Sequence, residues 1–372
     1  MIPFFSLNRE GLAAWVAAHH LPRHTTDQVL DWVYRKGIAD PMEMSNLAKG
    51  IRVQLAAELI FKEGRSVAHQ SATDGTQKLL LSWARVLQDG GSLPVMPVIG
   101  QSPVARGEET ECVLIPTDDR KTACISSQLG CPVGCRFCAS GIGGLSGNLT
   151  AAQIIEQVFH VACLKGVERV SHVVFMGMGE PLANYSAVTD AIRTLNAPWG
   201  FGISARRITL STVGLPAAIL KFCDFEVPVT LALSLHAPND ALRREIIPWA
   251  EFSTINELLD ACDTWFEKTG REITLEYILL GGVNDRPEHA EELAFHAKRI
   301  HANVNLIRYN EVRGMPFQRP ATEDVLRFQN ILRMRDVNVH IRASRGRDIA
   351  AACGQLRHEQ SSPTREAPSA AP

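Results

Sequence analysis

The constraint that most limits the fold is an alternation that sets in at about residue 120. Short β-branched or apolar runs, TACISS, HVVFMG, RITLST, VTLALSL, ITLEYILL and ANVNLI, alternate with amphipathic helical stretches such as LTAAQIIEQVFHVACL, INELLDACDTWFEK and EHAEELAFHAKRI. Six strand-then-helix units make an α/β fold with a parallel barrel, complete or partial. Functional side chains in such a barrel belong on the loops that follow the strands. One more strand-like run, VNVHIRA, precedes a helix expected to carry Cys353.

The rest of the chain divides by pattern. Residues 1–65 read as a small helical accessory domain, with LNREGLAAWVAAH, TTDQVLDWVYRKG and SNLAKGIRVQLAAELI each showing apolar spacing of three and four. Residues 66–119 read as a β-rich extension, DGTQKLLLSWARV and ECVLIP, interrupted by an exposed Gly/Pro-rich insert at 90–109. The barrel occupies 120–356, and the tail 357–372 has the composition of a disordered segment.

Charge excludes one class of partner binding. With 38 Lys+Arg against 40 Asp+Glu there is no global basic field, so any nucleic-acid contact must come from local patches. The arginines Arg342, Arg345 and Arg347 and the pair Arg206-Arg207 are the candidates, against solvated faces as the plain alternative. No apolar run approaches the ~18 residues that span a bilayer, and the N-terminus lacks a signal-peptide pattern, so a cytoplasmic protein is expected. Nine cysteines in a reducing compartment point to metal or catalytic thiols rather than a disulfide framework. Cys163, Cys223 and Cys262 sit in apolar contexts and read as core residues.

Three cysteines stand in CPVGCRFC, just after TACISS: Cys131, Cys135 and Cys138. One loop can deliver such a triplet to three corners of a [4Fe-4S] cluster and leave the fourth iron open. A zinc site completed by Cys124 or Cys112 is the other reading of the same residues, and it would make the chain a non-enzymatic module. About forty residues on, VVFMGMGEPLAN ends a strand with Gly177 and Gly179 around Met178, then Glu180 at the rim. Ser211 ends RITLST, Ser234-Leu235-His236 ends VTLALSLH, and Asn310 follows ANVNLIRY, so polar groups from further strand ends converge on one mouth.

Taken in order, ETECVLIP, CISSQLGCPVGCRFC, GNLTAAQIIEQV, FMGMGEPLAN, RRITLSTVG, ALSLHAPND, LEYILLGGVND and SRGRDIAAACGQL resemble the RlmN family over about residues 5–356. These are radical SAM enzymes that methylate C2 of adenosine in 23S ribosomal RNA, at the peptidyl transferase centre, and in tRNA next to the anticodon. The sister Cfr type methylates C8 of the same rRNA adenosine and shares most of the motifs. The resemblance implies a partial (βα)6 radical SAM barrel, a helical N-terminal domain that contacts RNA, a monomer, and a flavodoxin- or ferredoxin-type electron donor. It implies one [4Fe-4S] cluster on Cys131, Cys135 and Cys138, with S-adenosyl-L-methionine (SAM) on the fourth iron and held by Gly179, Glu180, Ser211, Ser234, Leu235, His236 and Asn310. It gives Cys353 the methyl-carrying role, through an S-methylcysteine whose methyl is activated by a radical and added to adenine. Cys124 then resolves the protein–RNA adduct through a transient Cys124–Cys353 disulfide, and Glu111 accepts the proton. The chain departs from the family at Arg308-Tyr309, at Gly147 and in the length of the 90–109 insert, which bear on substrate choice.

Overall fold

The computed structural model describes residues 1–83 and 108–356. At the N-terminus β1 (Ile2–Pro3) pairs in parallel with β2 (Leu59–Ile60) and closes a helical segment made of α1 (Arg9–Ala18), α2 (Thr25–Leu30) and α3 (Lys49–Glu58). Asn8 starts α1 by accepting a 2.7 Å hydrogen bond from the Gly11 amide, one of the donors a helix cannot satisfy internally. The periodicity that suggested a helix through Ile60 stops at Glu58, because Leu59 turns extended to join β2.

Four strands then run antiparallel: β3 (Gly64–Ser71), β4 (Gln77–Trp83), β5 (Glu109–Pro116) and β6 (Lys121–Cys124). A hairpin, β7 (Gln128–Gly130) with β8 (Leu145–Asn148), encloses the cysteine triplet between its strands. The chain continues through β9 (His172–Phe175), β10 (Ile208–Thr212), β11 (Thr230–Ser234), β12 (Thr274–Leu279), β13 (Asn303–Arg308) and β14 (Val339–Arg342). From β6 to β14 every neighbouring pair in the large sheet is parallel.

Each of the first six parallel strands is followed by helix. The helices are α4 (Ala151–Ala162), α5 (Tyr185–Asn196), α6 (Pro216–Phe222), α7 (Asp240–Ile246) with α8 (Ile255–Thr269), α9 (Pro287–Arg299) and α10 (Thr322–Met334). The sheet order β14-β13-β12-β11-β10-β9-β6-β5-β4-β3 has two free ends, so the barrel is open, with the antiparallel extension continuing one edge. The α/β class and the partial barrel are as the alternation indicated.

Thr150 and Gln153 form a capping box at the start of α4. Two turns in, Glu156 is buried and accepts the Glu63 and Gly64 amides at 3.0 and 2.8 Å, fixing the start of β3. One apolar cluster runs from Phe4, Leu12 and Val29 through Val158 and Phe159 to Trp265 and Val339, so the N-terminal helices and the barrel share a core. Phe5 meets Phe159 at 5.4 Å and Tyr34 meets Phe201 at 5.1 Å across that junction.

Two local expectations change. No helix carries Cys353: a short 3-10 turn, Arg347–Ile349, ends at Ala350 with φ of 48°, and Gly354 has φ of 82°, so a helix cannot continue through the cysteine. Cys163 is exposed rather than core, at the end of α4, where its thiol donates to the Gly37 carbonyl at 3.4 Å; Cys223 and Cys262 are buried as expected. Residues 90–107 of the insert and the tail lie outside the described residues. Among the described residues no helix is long and apolar enough to cross a membrane.

Candidate active site

Because β6 and β9 to β14 run parallel, their carboxyl ends open on one side. There a cavity of about 160 Å³ is lined by Cys131, Cys135 and Cys138 from the hairpin loop. Strand ends supply Gly179, Glu180, Ser211, Ser234, His236 and Arg342, the interior of β12 supplies Glu276, and the C-terminal loop supplies Cys353. Residues more than two hundred positions apart in sequence therefore face one space.

The three loop thiols are free and half-buried, and they pack on an apolar cluster that includes Val133, Phe137, Ile246 and Ile278. The loop closes tightly: Gly134 has φ of 68°, and a Cβ at Gly141 would come within 3.1 Å of the Gly134 Cα. Burial pushes all three thiols up, and for Cys135 the other two thiols add to the effect. Three thiols set round one cavity suit a [4Fe-4S] cluster, since each cysteine sulfur of such a site ligates a different iron. The zinc reading finds no fourth ligand here, because Cys124 lines another cavity and Cys112 is wholly buried in β5.

Glu180 is buried, accepting the Val213 amide at 2.8 Å on one oxygen and the Leu182 amide at 3.0 Å on the other. Burial pushes its carboxyl up to about 7 despite those bonds. The glycines before it serve packing as much as ligand approach. A Cβ at Gly177 would sit 2.7 Å from the Ile125 carbonyl, and Gly179, with φ of 105°, lies as close to Ser127 and Gln128. Ser211 and Ser234 share a 3.1 Å hydrogen bond at adjoining strand ends.

His236 has φ of 60°, and its ring stands edge-on to Phe137 at 5.1 Å. Burial, then the Arg243 guanidinium, pushes its pKa down to about 3, so the ring is neutral. Its Nδ1 accepts the Ile278 amide at 3.1 Å, which leaves the ring proton on Nε2. Leu235 contributes no side chain to the cavity; it is fully buried, and its amide donates to the Glu276 carbonyl at 3.1 Å.

Two neighbouring cavities hold the remaining candidates. One of about 70 Å³ is lined by Cys124 at the end of β6, Asn310, Arg342, Arg345 and Cys353, so Cys353 borders both this space and the cysteine-triplet cavity. Burial, then Cys353, pushes the Cys124 thiol up to about 12, while Arg342 draws it down. The other, about 580 Å³, is lined by Glu111, Lys78, Arg313, Arg347 and Gln355. There Lys78 Nζ holds Glu111 Oε1 at 2.8 Å, and the buried Glu111 Oε2 has no hydrogen-bond partner.

The arginine candidates separate. Arg345 and Arg347 line the two cavities beside the C-terminal loop, whereas Arg206 and Arg207 precede β10 and so sit at the opposite end of the strands. Arg342 is turned inward against Met176 and Glu276 rather than onto a solvated face. Arg308 bonds to Pro320 and Thr322, and Tyr309 is buried beside Phe317, so neither lines the triplet cavity; Ile307 does. Glu276 was missed. The signal for it is a lone carboxylate in the apolar strand TLEYIL, sharing the inward face with Ile278 two residues on.

Comparisons with known proteins agree with this geometry. The Radical SAM superfamily model matches residues 125–294, and the model of the ribosomal RNA large subunit methyltransferase N-terminal domain matches residues 2–60. A probable dual-specificity RNA methyltransferase RlmN from Thermosynechococcus vestitus is 44% identical over 349 residues, covering 94% of this chain and 96% of that protein. The same-named protein of Synechococcus sp. (strain CC9311) is 43% identical over 367 residues, with 95% and 98% covered. The crystal structure of a radical SAM methyltransferase from Sphaerobacter thermophilus superposes with a TM-score of 0.87 at 39% identity, covering 96% of this chain and 99% of that one. The open barrel with its thiol triplet and the superfamily match define a protein of the radical SAM class, which works with a [4Fe-4S] cluster and SAM. Within that class, the chain belongs to the RlmN family.

Proposed function

We propose that this protein methylates C2 of an adenosine in RNA, in 23S rRNA and in tRNA beside the anticodon, with Cys353 as the carrier of the methyl group. The observation that carries the reading is the position of Cys353 on the border of two cavities, one with the thiol triplet and one with Cys124. Cys131, Cys135 and Cys138 would hold the cluster. Gly179, Glu180, Ser211, Ser234 and the Nε2–H of His236 would hold SAM, with Leu235 fixing the strand end through its backbone and Asn310 bounding the neighbouring space. Bound there, cluster and SAM supply one-electron reductive cleavage of a sulfonium and hence hydrogen-atom abstraction from a methyl group.

That chemistry suits an electron-poor carbon such as C2 of adenine, which cannot act as a nucleophile toward a sulfonium methyl. The chain's own part is sulfur and proton chemistry. Cys353 accepts a methyl group as a thioether. Glu111, whose buried Oε2 makes no hydrogen bond, would take the proton lost at C2 after radical addition, and the electron lost with it would return to the oxidised cluster. Cys124 frees the product: an S–S bond to Cys353 forms as the S–C bond breaks, and the bonding pair leaves with carbon and is captured by one proton. The thiol pair is thereby oxidised by two electrons and the carbon reduced by two, so a reductant must restore the thiols. On this reading residues 1–65 form the domain that contacts RNA, and a flavodoxin- or ferredoxin-type donor serves a monomeric enzyme.

The test is a reaction with rRNA and tRNA transcripts, followed by mass analysis of the nucleosides. 2-Methyladenosine is expected. 8-Methyladenosine would assign the protein to the sister chemistry, and no methylated adenosine from protein with a full cluster would reject the proposal.

A further inference from the structure

The wall between the triplet cavity and the Cys124 cavity is made by four residues, Met176, Ile307, Arg342 and Cys353, which line both. Arg342 is the cation among them. Its hydrogen bond among the described residues is from Nη1 to Met176 Sδ at 3.3 Å, and Glu276 Oε2 stands 3.8 Å from the same nitrogen. Glu276 is buried. Its Oε1 accepts Asn305 Nδ2 at 3.0 Å, while Oε2 makes no hydrogen bond, so the carboxylate faces the guanidinium across a gap instead of closing on it as a fork. A guanidinium has five donors, and the Cys124 and Cys353 thiols line the same cavity as this one. The charged and titratable groups that line the cavity with Cys124 are Cys353, Arg342 and Arg345.

Resting on the sulfur roles proposed above, we propose that Arg342 is the positioning residue for sulfur exchange: its guanidinium, restrained by Glu276, is the counter-charge for the Cys124 thiolate as it attacks the Cys353 sulfur. An anion in so buried a place is costly without an opposite charge. Arg342 influences Cys353 as well as Cys124. Once the Cys353 sulfur carries carbon it bears no negative charge, so Cys124 becomes the cation's remaining thiol partner. The order of steps thus follows from which sulfur can be an anion.

The test uses protein with its full cluster and no RNA. Iodoacetamide labelling of the peptide that carries Cys124 is followed by mass spectrometry at a fixed pH near 8. Arg342→Gln should slow labelling about tenfold or more, the rate equivalent of one pKa unit; Arg342→Lys should slow it less, and Glu276→Gln should speed it. On RNA, the adduct once formed should decay at least tenfold more slowly in Arg342→Gln and regain part of the rate in Arg342→Lys. Should Arg342→Gln lose its cluster or fold, the Lys and Glu276→Gln variants decide. Unchanged labelling across the variants overturns the inference, as does slow labelling with adduct decay at the wild-type rate. The labelling arm needs no methyl transfer, so failure of the proposed activity in the wild type is read separately.

Discussion

His236 is buried and neutral with its pKa near 3, so it links stability to pH. An unfolded chain takes up a proton near the ordinary value of 6.5 whereas the folded ring does not. The stability His236 contributes is therefore complete above that value and is lost as pH falls toward the folded value. Thermal unfolding of cluster-free protein should show stability declining below pH 6.5 with a share of up to about 1.4 kcal/mol per unit from this group. His236→Asn, which tolerates positive φ, should flatten that slope; an unchanged slope would mean the ring is charged or solvated. At the triplet, replacing Cys135 by Ala leaves two thiolates, and iron content after anaerobic reconstitution should collapse; near-complete iron in that variant would remove it from the ligand set. Residues of this kind were legible because their chemistry is rare: three thiols in eight positions, or a Ser-Leu-His ending an apolar strand. Glu276 and Arg342 were not. Glu276 reads as an ordinary polar position in a strand and Arg342 as a candidate RNA contact, until the barrel's curvature brings them to within 3.8 Å of each other.

Among the elements, α4 shows how much a sequence pattern conceals. Its capping box and apolar stripe announce a helix, and the helix lies where expected. Glu156 in the same stretch looks like a solvated charge, yet it satisfies the amides that open β3. Glu156→Ala should strip one buried and one partly buried amide of their acceptor and cost roughly 2–6 kcal/mol, at about 1–3 per unsatisfied group. Glu156→Gln, which keeps one acceptor oxygen, should cost less. Denaturant unfolding measures both, and a loss below about half a kcal/mol for the Ala variant would contradict the assigned role. Strand-and-helix alternation was legible for the same reason as the box, since both are local. The C-terminal loop was not, because AAACGQL has helical composition and the positive φ at Ala350 and Gly354 takes it out of a helix.

At the scale of the whole molecule, the open barrel brings together cysteines that the chain separates by more than two hundred residues. The N-terminal helices pack into the same core through Phe5 and Tyr34. The proposed chemistry divides labour between Cys353 and Cys124. The most direct measurement is a denaturing gel of the two alanine variants after reaction with substrate RNA under reducing anaerobic conditions. Cys124→Ala should migrate as a ribonuclease-sensitive protein–RNA adduct, because methyl transfer to adenine proceeds and release does not. Cys353→Ala and the double variant should show none. Absence of adduct from both single variants, each with a full cluster, would contradict the account and return Cys124 to the role of a packed strand residue.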